Sequence, residues 1–351
     1  MTRHWAKPTR VLLVDDSDAS RAAVGRILEG TAGVVIVGAA RDGEEALRDV
    51  LRLEPDIVFL DLQMPRMDGF TFLRLLMARR PTPVVVVSSQ SRRSDAFKAL
   101  ELGALDFVAK PEGNASFDTI AAALVEKCEL LRALRPENLG FGGEALRTPP
   151  RGAGAIVPLR VVAIGASTGG PQALQRIFSA LPDELPVGYV VAQHMPERFT
   201  AAFAERIART TRFTAQEAAE GDVIAAGRVL VAPGGRHLEV RSDERGVLRA
   251  SILQADPDPT ARHCPSVDRL LTSVARAAGP CACAVVLTGM GQDGRAGVVA
   301  IKRAGGLTLA ESQETAVVYG MPQAAAESGA LDELLPLDRL VERIARFGRD
   351  K

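Results

Sequence analysis

The chain has 351 residues, a length that fits about two domains of ordinary size. Its 43 lysines and arginines balance its 43 aspartates and glutamates, so its formal net charge is zero. The first 130 residues carry 17 basic and 19 acidic side chains, so neither part of the chain is a charged arm. Because binding to a phosphate backbone needs an excess of Lys and Arg, this balance argues against a nucleic-acid-binding protein.

The composition also argues against a membrane or disulfide-rich protein. No apolar run reaches the ~18–20 residues that a membrane span needs, and residues 1–10 lack the apolar core of a signal peptide. The four cysteines, Cys128, Cys264, Cys281 and Cys283, form no C-x-x-C pair and are too few for a disulfide framework. We therefore expect a cytoplasmic protein with free thiols and no segment inserted in a membrane.

Short apolar runs alternate with amphipathic stretches of helical length over residues 9–130. The runs are rich in Val, Ile and Leu and too short for helices, which is typical of buried parallel strands. They cover residues 11–14, 34–38, 57–60, 84–87 and 107–109. Five strand–helix units in succession predict an α/β domain with a doubly wound parallel sheet.

Residues 131–158 are rich in Pro and Gly and carry no hydrophobic period, so they predict a linker. The strand–helix alternation then resumes over residues 159–351. Predicted strands cover residues 160–164, 187–192, 229–232, 237–240, 247–253 and 284–287. Predicted helices cover residues 265–278 and begin again near residue 295. This half is therefore predicted to be a second α/β domain, doubly wound and mostly parallel, with a β-hairpin insertion.

Polar residues follow the predicted strands of the first domain. Asp15 and Asp16 follow the first strand, Asp61 the third, Ser88 the fourth and Lys110 the fifth. In open α/β sheets such strand ends form the ligand site. Three clustered carboxylates repel one another and require a cation such as Mg²⁺, while a lysine and a hydroxyl suit a phosphoryl group. A single Asp there is equally well a helix N-cap, but five such positions in five consecutive units favour the site.

Residues 9–130 resemble a response-regulator receiver domain, which has a flavodoxin-like (βα)5 fold. The matching stretches are residues 14–17, 60–65, 68–69, 88–89 and 109–111. The resemblance implies that Asp61 accepts a phosphoryl group from a phosphohistidine of a kinase. The same resemblance implies that residues of this domain bind Mg²⁺.

The implied ligands are the carboxylates of Asp16 and Asp61, the backbone carbonyl of Gln63, and Asp15 through water. By the same resemblance Ser88 and Lys110 bind the phosphoryl oxygens. Phe107 stands at the family's aromatic switch position and is also typical of an ordinary core aromatic, and the two roles are compatible.

The second domain begins with a strand, a glycine-rich turn and a helix start. Gly165, Ser167 and Gly169 match the G-x-S-x-G nucleophile elbow, in which glycines permit a sharp turn and expose the serine oxygen. The helix start that follows offers N–H groups to an oxyanion. The alternative is a glycine-rich phosphate loop. Ser167 breaks the Rossmann pattern, and no Gly-Lys-Ser/Thr follows for a Walker motif, but the stretch alone leaves both interpretations open.

A nucleophilic serine needs a base, and the chain has four histidines. His4 lies in a charged tail, and His237 lies inside a predicted strand, where a structural role is expected. His263 adjoins Cys264, but two neighbouring ligands without partners make a weak metal site. His194 follows the strand at residues 187–192 and therefore lies at the same sheet edge as the serine.

The third member of such a triad orients the imidazole and stabilises its protonated form. Asp293 follows the predicted strand at residues 284–287. By itself it is more typical of a turn or an N-cap, but its placement at the same edge as Ser167 and His194 favours the triad. The chain order is Ser167, His194, Asp293, whereas α/β-hydrolases have the order Ser, Asp, His. The order predicts a different family with the same chemistry.

Residues 160–348 resemble the catalytic domain of the chemotaxis protein-glutamate methylesterases, the CheB family. The matching stretches are residues 164–170, 193–196, 232–235, 265–268 and 287–294. The family's catalytic triad maps onto Ser167, His194 and Asp293, and Thr168 and Met290 fall at positions that line its active site. Residues 262–264, Arg-His-Cys, carry more reactive side chains than expected and could alter the cleft wall.

The two resemblances together imply a phosphorylation-gated serine esterase. It would hydrolyse glutamate methyl esters on methyl-accepting chemotaxis receptors, release methanol, and deamidate receptor glutamines. A chemotaxis histidine kinase would supply the phosphoryl group, Mg²⁺ would serve the receiver, and the esterase would need no cofactor. The alternatives are a receiver with a binding-only or phosphate-sink output, and the same hydrolase acting on a non-chemotaxis receptor. The neutral second half disfavours a DNA-binding output.

Overall fold

The computed structural model describes residues 7–89, 93–113, 115–130, 160–197, 199–255 and 263–350. The chain divides into two compact units, Met1–Gly142 and Gly143–Lys351. The predicted linker, residues 131–158, lies outside the described residues. The domain bounds drawn from the sequence therefore stay a prediction.

The first unit is a five-stranded parallel sheet in the order β2-β1-β3-β4-β5, which is the flavodoxin-like order. The strands are β1 Thr9–Val14, β2 Val34–Ala40, β3 Ile57–Leu60, β4 Val84–Ser89 and β5 Asp106–Lys110. The helices are α1 Asp18–Glu29, α2 Gly43–Leu53, α3 Gly69–Arg79, α4 Arg93–Glu101 and α5 Ala121–Leu130, the last preceded by a 3₁₀ turn, Phe117–Ile120. The five predicted strand–helix units are confirmed.

The helices of this unit begin at the carboxyl edge of the sheet because short polar side chains cap them there. The Ser17 hydroxyl accepts a hydrogen bond at the start of α1, and Asp68 accepts one from the N–H of Thr71 at 2.7 Å in α3. Gly69 opens α3 so close to β3 that a Cβ at that position would lie 2.4 Å from the carbonyl oxygen of Asp61. The glycine therefore lets α3 start directly against the strand end that carries Asp61.

The second unit is a seven-stranded parallel sheet in the order β14-β13-β12-β6-β7-β9-β8, with a separate antiparallel hairpin, β10–β11. The strands are β6 Arg160–Ala166, β7 Val187–Gln193, β8 Thr214–Glu217, β9 Arg228–Val231, β10 Arg236–Ser242, β11 Leu248–Gln254, β12 Ala282–Val286, β13 Leu307–Glu311 and β14 Glu333–Leu335. The helices are α6 Gly170–Ala180, α7 Phe199–Thr210, α8 Val267–Ala278, α9 Arg295–Arg303, α10 Met321–Glu327 and α11 Leu337–Arg349. The prediction of a mostly parallel sheet with a hairpin is confirmed, whereas β8, β13 and β14 were not predicted.

Strand β6 is the point where the strand order of this sheet reverses. It pairs with β7 on one side and with β12 on the other, and Ala166 lies opposite Gln193. Ligands of open parallel sheets bind at the carboxyl ends of the strands at such a point. The turns that follow β6, β7 and β12 therefore border one site.

The hairpin and helix α8 complete the core of the second unit. Leu238 and Val240 of the hairpin share a buried cluster with Leu270 and Val274 of α8. The N–H of Val240 donates to the Ser273 hydroxyl at 2.9 Å, so this backbone group stays paired within the core.

The described ranges contain no helix that is long and apolar enough to cross a bilayer. All four cysteines lie in these ranges and are free thiols.

Gly165→Ala is expected to destabilise the second unit. A Cβ at this position would lie 2.1 Å from Cγ1 of Val267, so the start of α8 would have to move off β6, at a cost of roughly 1–3 kcal/mol. Guanidinium denaturation of the full chain measures this loss. Val267→Ala removes the clashing atoms, so the double variant should lose less free energy of unfolding than the two single variants together. An unchanged unfolding midpoint for Gly165→Ala would contradict the packing described.

Candidate active site and acidic cluster

Three carboxylates meet at the carboxyl edge of the first sheet. Asp15 and Asp16 follow β1, Asp61 follows β3, and their ligand oxygens all lie within 4.8 Å of one another. Asp15 and Asp61 are buried and Asp16 is exposed. Lys110, at the end of β5, places Nζ 2.5 Å from Oδ2 of Asp61 and 2.7 Å from Oδ2 of Asp15. We call these four residues the acidic cluster.

The charges of the acidic cluster fit a divalent cation. Burial raises the pKa of Asp15 above its usual range, and the nearby Asp61 adds to the rise despite the ion pair with Lys110. Burial alone would lower the pKa of Lys110, but the two carboxylates raise it, so the amine stays charged. One ammonium cannot balance three carboxylates, and an all-oxygen set with one exposed member suits Mg²⁺, which keeps part of its water shell.

The other predicted residues of this edge lie beside the acidic cluster. Leu62 and Gln63 donate their backbone N–H groups to Oδ1 of Asp61, at 2.7 and 3.4 Å, so the peptide of Gln63 borders the carboxylate. Ser88 lies at the end of β4 and is buried. Phe107 is buried with its ring edge-on to that of Phe97, with centroids 6.1 Å apart, which is the contact of a core aromatic.

Ser167 follows β6 in the tight turn that starts α6. Its N–H donates to the carbonyl of Thr288 at 3.0 Å, and its own carbonyl accepts from the N–H of Gly170 at 2.8 Å. Gly169 has φ of 78°, in the left-handed region that glycine adopts without strain. The turn therefore puts the serine at the amino end of α6, whose N–H groups favour negative charge.

His194 and Asp293 are in direct contact. Nε2 of His194 lies 2.8 Å from Oδ2 of Asp293. The same carboxylate accepts the N–H groups of Val267 and Asp268, each at 2.8 Å, and the Ser266 hydroxyl at 3.2 Å. The amino end of α8 therefore points at this buried charge and stabilises it.

The protonation of this pair follows from its contacts. Burial alone would raise the pKa of Asp293, but the hydrogen bonds from His194 and from the α8 backbone hold it below its usual range. The carboxylate is therefore ionised and can only accept. In the neutral ring of His194, Nε2 therefore carries the hydrogen that is donated to Asp293, and Nδ1 keeps the lone pair that a general base needs.

Ser167 stands at the same sheet edge as this pair. Among the described residues, no hydrogen bond joins the Ser167 hydroxyl to the ring of His194. Catalytic hydrogen bonds are often long in a free enzyme and shorten when substrate binds. Thr168 is buried, with its carbonyl accepting from the Thr288 hydroxyl at 2.9 Å, and Met290 is half-buried in the turn that leads to Asp293.

Sequence reasoning gave no role to two neighbours of the pair. His263 stacks on His194 with ring centroids 4.3 Å apart and planes 5° from parallel, so it restricts rotation of the imidazole. Arg262, the first of the three unusual residues, lies outside the described ranges. Asp268 accepts from the N–H groups of Gly294 and Gly297, at 3.0 and 2.7 Å, and so holds the turn that carries Asp293.

His237, expected to be structural, is buried in β10. Its Nδ1 accepts the N–H of Ser266 at 3.1 Å, so the hairpin helps to fix the start of α8.

A buried carboxylate, Glu311, supports the turn after β12. It lies at the end of β13, where Oε2 accepts the N–H of Thr288 at 2.9 Å and Oε1 accepts the Thr315 hydroxyl at 2.9 Å. Burial raises the pKa of Glu311 above its usual range. The carbonyl of Thr288 accepts from the N–H of Ser167, so Glu311 is connected through Thr288 to the turn that carries Ser167. The sequence analysis missed it because β13 was not predicted.

Two family models match the chain. One, described as CheB methylesterase, covers residues 162–344, and the other, described as Response regulator receiver domain, covers residues 11–122. The chain belongs to the CheB methylesterase family.

Relatives in this family match over the whole length. The chain is 62% identical over 352 residues to protein-glutamate methylesterase/protein-glutamine glutaminase 6 of Anaeromyxobacter dehalogenans, covering 100% of this chain and 99% of the relative. It is 47% identical over 362 residues to enzyme 3 of that name from Geobacter sulfurreducens, covering 95% and 96%.

A solved structure from the family supports the fold of the second unit. The crystal structure of the Thermotoga maritima CheB methylesterase catalytic domain superposes with a TM-score of 0.51 at 38% identity. The superposition covers 53% of this chain and 97% of that domain.

Glu311→Gln is expected to change how stability depends on pH. The pKa of Glu311 is raised in the folded chain. At pH values between the pKa of the unfolded chain and that of the folded chain, the folded chain therefore holds a proton that the unfolded chain has lost. Wild-type stability falls as the pH rises through this range. The glutamine side chain of the variant does not titrate, so the variant should gain free energy of unfolding relative to wild type as pH rises from acid to neutral. Denaturation at several pH values measures the difference. Exposed Glu314→Gln is the control, and a difference that does not change with pH would contradict the account.

Proposed function

We propose that this chain is a phosphorylation-gated protein-glutamate methylesterase that also deamidates protein glutamines. The observation that carries the proposal is the contact between His194 and the buried carboxylate of Asp293, at the sheet edge that also presents Ser167. Such an arrangement serves acyl transfer through a serine. The names of the full-length relatives support both the ester and the amide substrate.

The reaction begins with the hydroxyl of Ser167. Nδ1 of His194 takes its proton as the serine oxygen attacks the γ-carbonyl of a glutamate methyl ester. Asp293 stabilises the imidazolium that forms, because its charge stays paired to Nε2–H. The stack with His263 keeps the imidazole plane in place during the transfer.

The tetrahedral intermediate carries negative charge on the former carbonyl oxygen. The backbone N–H groups of Thr168 and Met290 are the donors we assign to it, and one such donor is worth ~3–4 kcal/mol in known enzymes. The amino end of α6 adds a favourable dipole.

Collapse of the intermediate releases the leaving group. His194 returns its proton to the departing methanol and leaves an acyl-serine, which water then hydrolyses to glutamate by the same steps. A glutamine side chain passes through the same acyl-serine, with ammonia in place of methanol. The esterase needs no cofactor for either reaction because serine, histidine and backbone donors supply every proton and charge.

The receiver unit is proposed to control this chemistry. Asp61 accepts a phosphoryl group, and Lys110 and Ser88 bind its oxygens. Mg²⁺ held by Asp15, Asp16, Asp61 and the carbonyl of Gln63 would neutralise the carboxylates and the incoming phosphoryl oxygens. Phe107 is the aromatic that would respond to the new charge. A shift of the population towards an open catalytic unit then raises turnover.

The proposed partners follow from this chemistry. The substrates are methyl-accepting chemotaxis receptors, and the phosphoryl donor is a chemotaxis histidine kinase. We place the enzyme in the cytoplasm, which agrees with its four free thiols.

Ser167→Ala is expected to abolish methanol release from membranes that carry methylated receptors, with a loss of at least about a thousandfold in kcat because no acyl-serine can form. Exposed Ser179→Ala is the matched control and should retain activity. Undiminished release by Ser167→Ala would refute the esterase mechanism. Failure of the wild-type serine to react with a fluorophosphonate would favour a binding-only output.

Asp61→Ala is expected to remove activation by a small-molecule phosphoryl donor. Methanol release by wild type should rise when the donor and Mg²⁺ are both present, whereas the variant, which has no carboxylate to phosphorylate, should give the same rate with and without them. The ratio of the two rates is the quantity measured. A variant that still responds to the donor would place the control elsewhere in the chain.

A further inference from the structure

The side chain of Gln193 ties together the two turns that carry the proposed nucleophile and base. Its Nε2 donates to the carbonyl of Ser167 at 2.8 Å and to the carbonyl of His194 at 3.1 Å. A carboxamide has two N–H hydrogens, so both are used on these backbone oxygens. The residue ends β7 and is 2% exposed, so water does not compete for these bonds.

The orientation of this carboxamide is set by the start of α6. A Cβ at Gly170 would lie 2.2 Å from Oε1 of Gln193, so the oxygen occupies the space that a side chain there would fill. This end of the helix is positive, which favours the carboxamide oxygen over the amino group. Oε1 is buried and makes no hydrogen bond within the described residues. The side chain of Gln193 is therefore held in place by the two hydrogen bonds that its Nε2 donates.

Holding the carbonyl of Ser167 also sets the next N–H group. That carbonyl accepts from Gly170 as well as from Gln193, so it is held at two points. The peptide that joins Ser167 to Thr168 is planar and trans, so the Thr168 N–H points opposite to the Ser167 carbonyl. The direction of this N–H cannot change unless the hydrogen bond from Gln193 breaks.

We propose that Gln193 is a positioning residue that directs the Thr168 N–H at the oxyanion and holds the turn of His194 next to that of Ser167. The inference rests on the proposed function, in which the Thr168 N–H stabilises the tetrahedral intermediate. Gln193 does not touch the substrate, because its polar atoms are buried beneath the two turns. Its effect should therefore appear in the chemical step and not in substrate binding.

Gln193→Met is the first test, because it keeps the length of the side chain and removes both donors. In the full chain, kcat for methanol release should fall roughly 10- to 100-fold, less than the loss of an oxyanion donor itself, with KM within about twofold of wild type. Gln175→Met is the matched control. Gln175 lies within α6 and donates to the hydroxyls of Thr210 and Ser179, at 2.7 and 3.2 Å. Neither hydrogen bond involves the turn of Ser167 or of His194, so this variant should keep the wild-type kcat.

Gln193→Glu is the conservative variant. A buried carboxyl group that faces these two carbonyl oxygens is expected to be protonated, and it then offers one O–H donor instead of two N–H donors. We expect its kcat to lie between those of wild type and Gln193→Met. Equal kcat values for Gln193→Met and Gln175→Met, or a change confined to KM, would overturn the inference. If Gln193→Met does not fold, a wild-type kcat for Gln193→Glu would overturn it.

A second readout separates this inference from the proposed function. The rate of fluorophosphonate labelling at Ser167 depends on the nucleophile and the oxyanion donors but needs no receptor. Slower labelling of Gln193→Met than of Gln175→Met supports the positioning role even if wild type releases no methanol, in which case only the proposed substrate is wrong. Equal labelling rates would overturn the positioning role whatever the substrate.

Discussion

The buried charge of Asp293 is the constraint on which the catalytic unit depends. A carboxylate removed from water is tolerated only when donors surround it, and here they come from the turn after β7 and from the first residues of α8. The amino end of α8 must therefore lie against the sheet edge, which in turn requires that Gly165 of β6 carry no side chain under Val267. The buried charge of Asp293 thus constrains the positions of His194, of helix α8 and of strand β6.

The buried carboxylates Asp293 and Asp61 have different surroundings, and the difference matches their proposed roles. Within the described residues, two of the four donors to Asp293 are backbone N–H groups in the first turn of α8, which cannot move away without unfolding that helix end. Asp61 also accepts two backbone N–H groups, but it is paired with the amine of Lys110 and borders the exposed Asp16, where we propose that a cation and a phosphoryl group bind. We therefore propose that Asp293 keeps its charge and position, whereas Asp61 reacts.

Much of this arrangement could be predicted because buried parallel strands are continuous apolar runs and the polar residue after each run lies at the ligand edge. Asp15, Asp61, Ser167 and His194 are all of this kind. Strands β8 and β14 were missed because they are short edge strands with polar or half-buried residues. The stack of His263 on His194 could not be predicted, because 68 residues separate the two rings and no spacing rule links them.

We infer that Asp293 fixes the proton of His194 on Nε2 and leaves Nδ1 as the base. Nitrogen-15 NMR of the imidazole rings in the full chain tests this directly, with the His194 signals assigned by their loss in His194→Gln. We expect neutral His194 to have a protonated Nε2 and an unprotonated Nδ1. A proton on Nδ1 in the neutral ring would contradict it, because Nε2 would then have no hydrogen to donate to Asp293.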